Sequence, residues 1–316
     1  MSPVDAQQLP EQGEASLAKG DVLATPFEGW GGLTAMEKLS VDPGKAVEDF
    51  RNYQDSSRHS MVELHYSEMR ANQSVEYVKR MYEKYHRFDH AEMTIADAFE
   101  ALQGYVDSSD PDTELPNMIH MLQTAEAIRA KGYPDWMQLT GLLHDMGKIM
   151  YLWGEARDGQ IGRADFPQWG LGGDTWVVGV PIPATAVFPA FSALNQDKDV
   201  LEYQGPCGMY KAGCGLENLF FAYGHDEYMY RMLVHNKTTI PKEGLAMIRY
   251  HSCYPLHKHG EYKELLADGD EPLLEWVREF NQFDLYTKAD NVPDAAALWP
   301  YYQKLIDKYI PGKLQW

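Results

Sequence analysis

The run Gly141–Met150, GLLHDMGKIM, sets His144 and Asp145 inside an otherwise apolar stretch. A carboxylate is rarely buried without a partner, and leaving one unpaired is costly. The pair therefore has to face something. On a helix, neighbouring residues point about 100° apart. Both side chains can then reach one metal ion near the inner edge, or Asp145 can stand between two. Gly147 keeps that edge uncrowded, and Lys148 lies one turn past His144 on the same face. The competing reading is a buried His–Asp hydrogen bond with Lys148 at the surface.

Three more of the 11 histidines stand in comparable settings. His120 lies within NMIHMLQTAEA, with Thr124 and Ala127 on its side and small enough to admit another element. His225 follows Gly224 in LFFAYGHDEYMY, and His251 ends GLAMIRYHS. Leu273, Val277 and Phe280 form a helical stripe whose next member is Asp284, a carboxylate where the pattern calls for a core residue. Four imidazoles and two carboxylates exceed what one zinc takes. They suit two six-coordinate ions sharing Asp145. Such donors are compatible with iron, and equally with manganese, cobalt or zinc. His257 and His259, in LHKHG, read as solvated loop residues, and His59, His65, His86, His90 and His235 as residues of charged faces or helix ends. Asp226 reads as a group able to orient a neighbour from outside the ligand set.

Helices have to bring these groups together. Residues 1–45, rich in Pro, Gly, Glu and Ala, read as a disordered tail, followed by one domain over 46–316. Residues 60–86 follow a helical pattern with Met61, Leu64, Val75, Val78 and Tyr82 inward, and a further helix covers 89–106. The next starts near Pro116 and stops at the Lys131-Gly132 cap. Residues 134–149 are helical, and helices follow over 216–235, 241–251, 271–286 and 295–309. Between them, 153–215 is dense in Gly and Pro. Its one strand-like run, TWVVGV, allows at most a short β-hairpin, and a loop of this length is usually functional. The fold class is all-α with a long irregular insertion.

The formal net charge of −19 disfavours nucleic acid and anionic membranes as partners. No apolar run is long enough to span a bilayer, and residues 1–20 lack the apolar core of a secretory signal. Three cysteines without a CxxC pattern suit a reducing compartment, so a cytoplasmic protein is expected.

The HD…K pattern with an upstream His and a downstream Asp resembles the HD-domain superfamily of metal-dependent phosphohydrolases. Longer blocks are closer to one branch. DFRNY (49–53), DSSDPD (107–112), LPN..H..QTAE (115–126), GLLHDMGKIM.LWGE (141–155), CGLEN (214–218), GHDEY (224–228), MIRYHS.YP (247–255), EFN.FDLYTK (279–288) and PYYQKLIDKYIPG (300–312) resemble the myo-inositol oxygenase family, in order, from about Phe50 to the C-terminus. The resemblance implies an HD-domain-like bundle holding a mixed-valent Fe(II)/Fe(III) pair. His120, His144, Asp145 and Asp284 would hold one iron, and Asp145, His225 and His251 the other. It implies substrate contacts at Arg51, Asp107, Lys148, Gly173, Asp174, Ser252 and Lys288, with Lys148 and Asp145 as catalytic groups. The implied reaction opens the C1–C6 bond of myo-inositol with O2 as cosubstrate, giving D-glucuronate, on a monomer. The connection from Trp153 to Asp174 is longer than the family's usual one. A phosphohydrolase and a non-enzymatic metal-binding module are the alternatives.

Overall fold

A computed structural model describes residues 59–111, 115–286, 292–310 and 312–316. The tail expected over 1–45, Arg51 and Lys288 lie outside them. The described residues form an all-α arrangement of ten helices: α1 (His59–Asn72), α2 (Val75–Tyr85), α3 (Ile95–Ala101), α4 (Asn117–Ala130), α5 (Asp135–Leu143), α6 (His225–His235), α7 (Lys242–Tyr250), α8 (Tyr254–His257), α9 (Asp270–Tyr286) and α10 (Ala295–Tyr309). Strands β1 (Glu92–Met93) and β2 (Leu314–Gln315) form a two-stranded antiparallel sheet.

The central layer pairs α4 with α5 and α7 with both α6 and α9, while α5 also meets α7 and α4 also meets α9. Leu139, Leu142 and Leu143 of α5 pack with Met118, Met121 and Leu122 of α4 in the main core, and Phe280 of α9 and Met247 of α7 join Ile128 of α4 in a smaller one. Burying such side chains contributes about 1.5–3 kcal/mol each. It also draws the ends of α5 and α7 and the middle of α4 into one neighbourhood.

Several sequence-level boundaries shift. The run 60–86 is two helices rather than one, because Gln73 and Ser74 interrupt it and the Ser74 side chain accepts from the Tyr77 amide as an N-cap. The break resets the inward face. Val62, His65, Tyr66 and Met69 are buried on α1, whereas Leu64 is 43% exposed and Met61 only half-buried. The helix expected over 89–106 shrinks to α3, started by a reciprocal Thr94–Asp97 capping box. The residues before it become β1. TWVVGV makes no hairpin: Val177 forms a single bridge with Phe221, and the described sheet lies elsewhere. Pro116 caps α4 from outside instead of entering its first turn. Over 134–149, α5 ends at Leu143 and a 3-10 turn runs from Met146 to Leu152. α6 begins only at His225, behind a 3-10 turn at Leu216–Asn218.

The long insertion is irregular, as its composition implies, but tightly tied. Asp158 is buried and accepts from Lys84 and Arg80 of α2, the lysine at 2.9 Å. Gln160 accepts from the Tyr85 hydroxyl at 2.6 Å, and Gln168 from the Tyr105 hydroxyl at 2.7 Å. These bonds fix where the loop returns at residues 171–174.

Candidate metal centre

His120 projects from the middle of α4, His144 caps the C-terminus of α5, His225 opens α6 and His251 caps the C-terminus of α7. α9 runs on to Tyr286, so Asp284 keeps its place on the buried stripe below Val277 and Phe280. Five of the six line one cavity, and His144 adjoins it, its Nε2 3.4 Å from Asp284 Oδ1.

Hydrogen bonds aim the imidazoles. Nδ1–H of His144 donates to Gly141 O, that of His225 to Leu171 O and that of His251 to Ile248 O, each at 2.8 Å. A carbonyl can only accept, so each ring carries its proton on Nδ1 and turns an Nε2 lone pair inward. Around those lone pairs sit the carboxylates. Asp145 Oδ1 is 3.0 Å from His225 Nε2 and 3.8 Å from His251 Nε2, while its Oδ2 is 3.5 Å from His144 Nε2. Asp284 Oδ1 is 2.9 Å from His120 Nε2 and 3.4 Å from His144 Nε2. The donor atoms of His120, His144 and Asp145 cluster within 4.8 Å, and so do those of Asp145, His225 and His251. Asp145 belongs to both groups and offers a different oxygen to each.

The donor set fits a pair of cations. His225 Nε2 and His251 Nε2 face each other at 3.0 Å with both Nδ1 protons committed elsewhere, so a proton or a metal ion has to lie between them. His144 Nε2 and Asp284 Oδ2 are buried with no hydrogen-bond partner, an arrangement that is costly unless a cation takes up the lone pairs. Burial works against the charge of Asp145, but Lys148, then His144, with His225 and His251 beside them, hold its carboxyl well below the usual range. For His251, burial is likewise outweighed by the neighbouring carboxylates of Asp145 and Asp284, and its pKa rises. The pocket thus favours positive charge at two places.

Gly147 sets the closest approach. A Cβ there would lie 2.0 Å from the His225 carbonyl oxygen. Gly147→Ala is expected to destabilise the protein by about 3 kcal/mol and to displace His225. Thermal unfolding and metal analysis of the variant check this, and wild-type values for both would refute the packing argument.

Lys148 is buried rather than at the surface. Its Nζ donates to Asp107 Oδ2 at 2.7 Å, Asp145 Oδ2 at 2.8 Å and Asn117 Oδ1 at 2.9 Å. An ammonium has three protons, so all are engaged. Burial is outweighed by Asp107 and Asp145, which raise its pKa and keep it charged. Asp107, Gly173, Asp174 and Ser252 line the same cavity. Thr175 donates its amide to Ser252 O at 2.8 Å, which fixes the Asp174 turn beside the end of α7.

Two sequence readings change. His65 is buried inside α1 instead of on a charged face, because it shares the inward stripe of Val62, Tyr66 and Met69. His257 is buried instead of solvated, because the chain turns back into α8 and its Nε2–H donates to His251 O at 2.9 Å; His259 stays exposed. Asn117, within the LPN..H..QTAE block, carries no role in the sequence reading but is the third acceptor for Lys148. An asparagine opening a helix one turn before His120 was its sequence signal.

A family model described as myo-inositol oxygenase matches residues 59–316. Inositol oxygenase of Mus musculus is 45% identical over 282 residues, 87% of this chain and 94% of that protein. The Bos taurus protein of the same name is 44% identical over 289 residues, covering 90% and 96%. A probable inositol oxygenase of Oryza sativa subsp. japonica is 43% identical over 298 residues, covering 91% and 94%.

Proposed function

The chain belongs to the myo-inositol oxygenase family, and on that premise we propose that it opens the ring of myo-inositol between C1 and C6 with O2, giving D-glucuronate, at a centre of two iron ions. The observation that carries the metal part of this reading is Asp145, whose two oxygens address two separate groups of imidazoles. His120, His144, Asp145 and Asp284 would hold one iron, and Asp145, His225 and His251 the other. The second set has fewer protein donors and so leaves more room for substrate hydroxyls. When bound, the mixed-valent pair supplies the redox chemistry with O2 and makes a coordinated hydroxyl more acidic.

The chain's own groups do the rest. A polyol is uncharged, so it is recognised by directed hydrogen bonds, and a site built for them rejects analogues that lack a hydroxyl. Asp107 and Asp174 offer acceptors, and Ser252 both a donor and an acceptor. Lys148 reaches an oxygen of the substrate only by releasing one of its three present acceptors. Asp145 is the one expected to let go, since its Oδ2 is also the oxygen aimed at His144. Burial around Lys148 is opposed by two carboxylates, so it remains an ammonium and acts as a proton donor in hydrogen bonds rather than as a base. Arg51 and Lys288 are proposed as further substrate contacts.

Neither the matched family nor its relatives favour the phosphohydrolase alternative. No helix among the described residues is long and apolar enough to cross a membrane. A cytoplasmic monomer is part of the proposal. Its reducing compartment is supported by three free cysteines.

The test is O2 uptake by iron-loaded protein with myo-inositol, with the product identified. D-glucuronate formed one-to-one with O2 consumed is expected. Phosphate release from an ester under nitrogen, with no uptake, would overturn the reading. Lys148→Ala should lower kcat about a hundredfold while both irons stay bound. Iron lost in parallel would make Lys148 structural.

A further inference from the structure

His65 is a buried imidazole on a helix that supplies none of the metal donors, and both its ring nitrogens are engaged. Nε2 lies 3.2 Å from Gly172 O, and Nδ1 lies 3.2 Å from Ser108 Oγ. The carbonyl accepts, so Nε2 carries the proton and Nδ1 accepts from the Ser108 hydroxyl. Ser108 Oγ in turn accepts the Gln168 amide at 3.0 Å, and Gln168 Oε1 accepts the Ser108 amide at 3.0 Å. The result is one continuous polar chain from the Gln168 segment through Ser108 and His65 to Gly172. Its middle member Ser108 is one residue from Asp107, and its end at Gly172 is one residue from Gly173.

The backbone around the turn is shaped to admit this ring. Gly173 has φ +97°, and a Cβ there would lie 2.7 Å from His65 Nε2; a Cβ on Gly172 would lie 3.0 Å from Asp107 Oδ2. Two glycines therefore let the imidazole and the carboxylate press on the same turn from two sides. Tyr66, next to His65 on α1, accepts the Asp174 amide on its hydroxyl at 3.1 Å. α1 thus grips the turn by a carbonyl at 172 and an amide at 174.

We infer that His65 is a positioning residue for the substrate, holding the segment that carries Asp107 and the turn that carries Gly173 and Asp174 at one fixed separation. It touches neither the metal donors nor the cavity. This rests on the reading of Asp107 and Asp174 as substrate contacts. A ring buried to this degree is neutral, and burial pushes its pKa down to about 4 against the pull of Asp107. It therefore serves as one donor and one acceptor throughout the neutral range.

Two amides dissect the ring. Gln places a donor near the Nε2 position and Asn an acceptor near the Nδ1 position, while Phe keeps bulk and loses both. In iron-loaded full-length protein, His65→Phe should raise KM for myo-inositol about tenfold or more, with kcat at saturation within about threefold and iron content unchanged. His65→Gln should recover most of the loss. Ser108→Ala breaks only the middle of the chain and should raise KM with the same signature, which keeps the test alive if His65→Phe does not fold. An unchanged KM in folded His65→Phe or Ser108→Ala would overturn the inference, as would a fall of kcat and iron content together. Asp174→Asn separates the underlying reading: if it leaves KM untouched, the substrate assignment fails, whatever His65 does.

Discussion

Asp145→Asn loses at least one of two irons per chain, and turnover with myo-inositol falls by about a thousandfold or more. The substitution is nearly isosteric, so the effect is not one of packing. In the native chain, Oδ1 faces His225 and His251 while Oδ2 faces His144 and accepts from Lys148. An amide has one acceptor and one double donor. If its nitrogen turns to Lys148, two donors oppose each other in a buried site. If it turns to His225, its proton occupies the lone pair that would bind metal. Neither orientation leaves an anionic oxygen for each imidazole group. The charge balance shifts as well, since Lys148 is then countered by Asp107 alone, with Asn117 as a neutral acceptor. Iron analysis, O2 uptake and circular dichroism on the purified variant check this. Two irons per chain with activity within about tenfold of wild type would remove Asp145 from the shared position.

The residues proposed as metal donors stand out in the sequence where they break a pattern. Asp284 stands where a stripe of apolar residues demands another, and His144 and Asp145 interrupt an apolar run. Side chains that violate the binary pattern without a compensating surface are the ones a fold retains for chemistry. His65 breaks no pattern when Met61 and Leu64 set the inward face, since it then falls on a flank. The true stripe, Val62–His65–Tyr66–Met69, follows i, i+3, i+4, i+7 and places it inside. The interruption at Gln73 and Ser74 allows α1 and α2 separate phases, and Ser74 followed by Glu76 was the available N-cap signal. His257 failed differently. Whether a loop after a proline folds back into the core depends on contacts with α9, where Arg278 donates to its carbonyl at 2.8 Å. Local sequence does not report such contacts. The long insertion was legible as irregular, but the glutamines and the aspartate that fasten it pair with residues about 60–80 positions away.

Glu227 and Arg249 form the other buried charge pair of consequence, and Arg249→Met is expected to destabilise the protein by about 3–5 kcal/mol at pH 7. Glu227 lies two residues after His225 and Arg249 two before His251, so the pair ties the start of α6 to the end of α7 beside the proposed metal donors. Arg249 Nε donates to Glu227 Oε2 at 2.6 Å, its Nη2 to Oε1 at 3.3 Å and to Leu219 O, and its Nη1 to the Tyr250 hydroxyl and Leu216 O. The Arg231 Nε and the Tyr82 hydroxyl also donate to Oε1. Burial alone would raise the Glu227 pKa, but Arg249 and then Arg231 reverse this and hold it at about 2, below its ordinary 4.5. A depressed carboxylate contributes stability that is fully present above its unfolded pKa and lost as pH falls through the folded one. Wild-type stability should therefore decline between about pH 4.5 and pH 2 on this account. Without Arg249, burial is opposed only by Arg231 and the Tyr82 hydroxyl, so the folded pKa moves up and protonating Glu227 costs less than it does in the intact cluster. The gap between wild type and variant is thus widest at neutral pH and narrows as the solution is acidified. Urea unfolding of both proteins at pH 7 and near pH 4, at one fixed metal concentration, measures it. A gap below about 1 kcal/mol at pH 7, the ordinary worth of a surface pair, or one that widens on acidification, would show that α6 and α7 are held together by their apolar contacts alone.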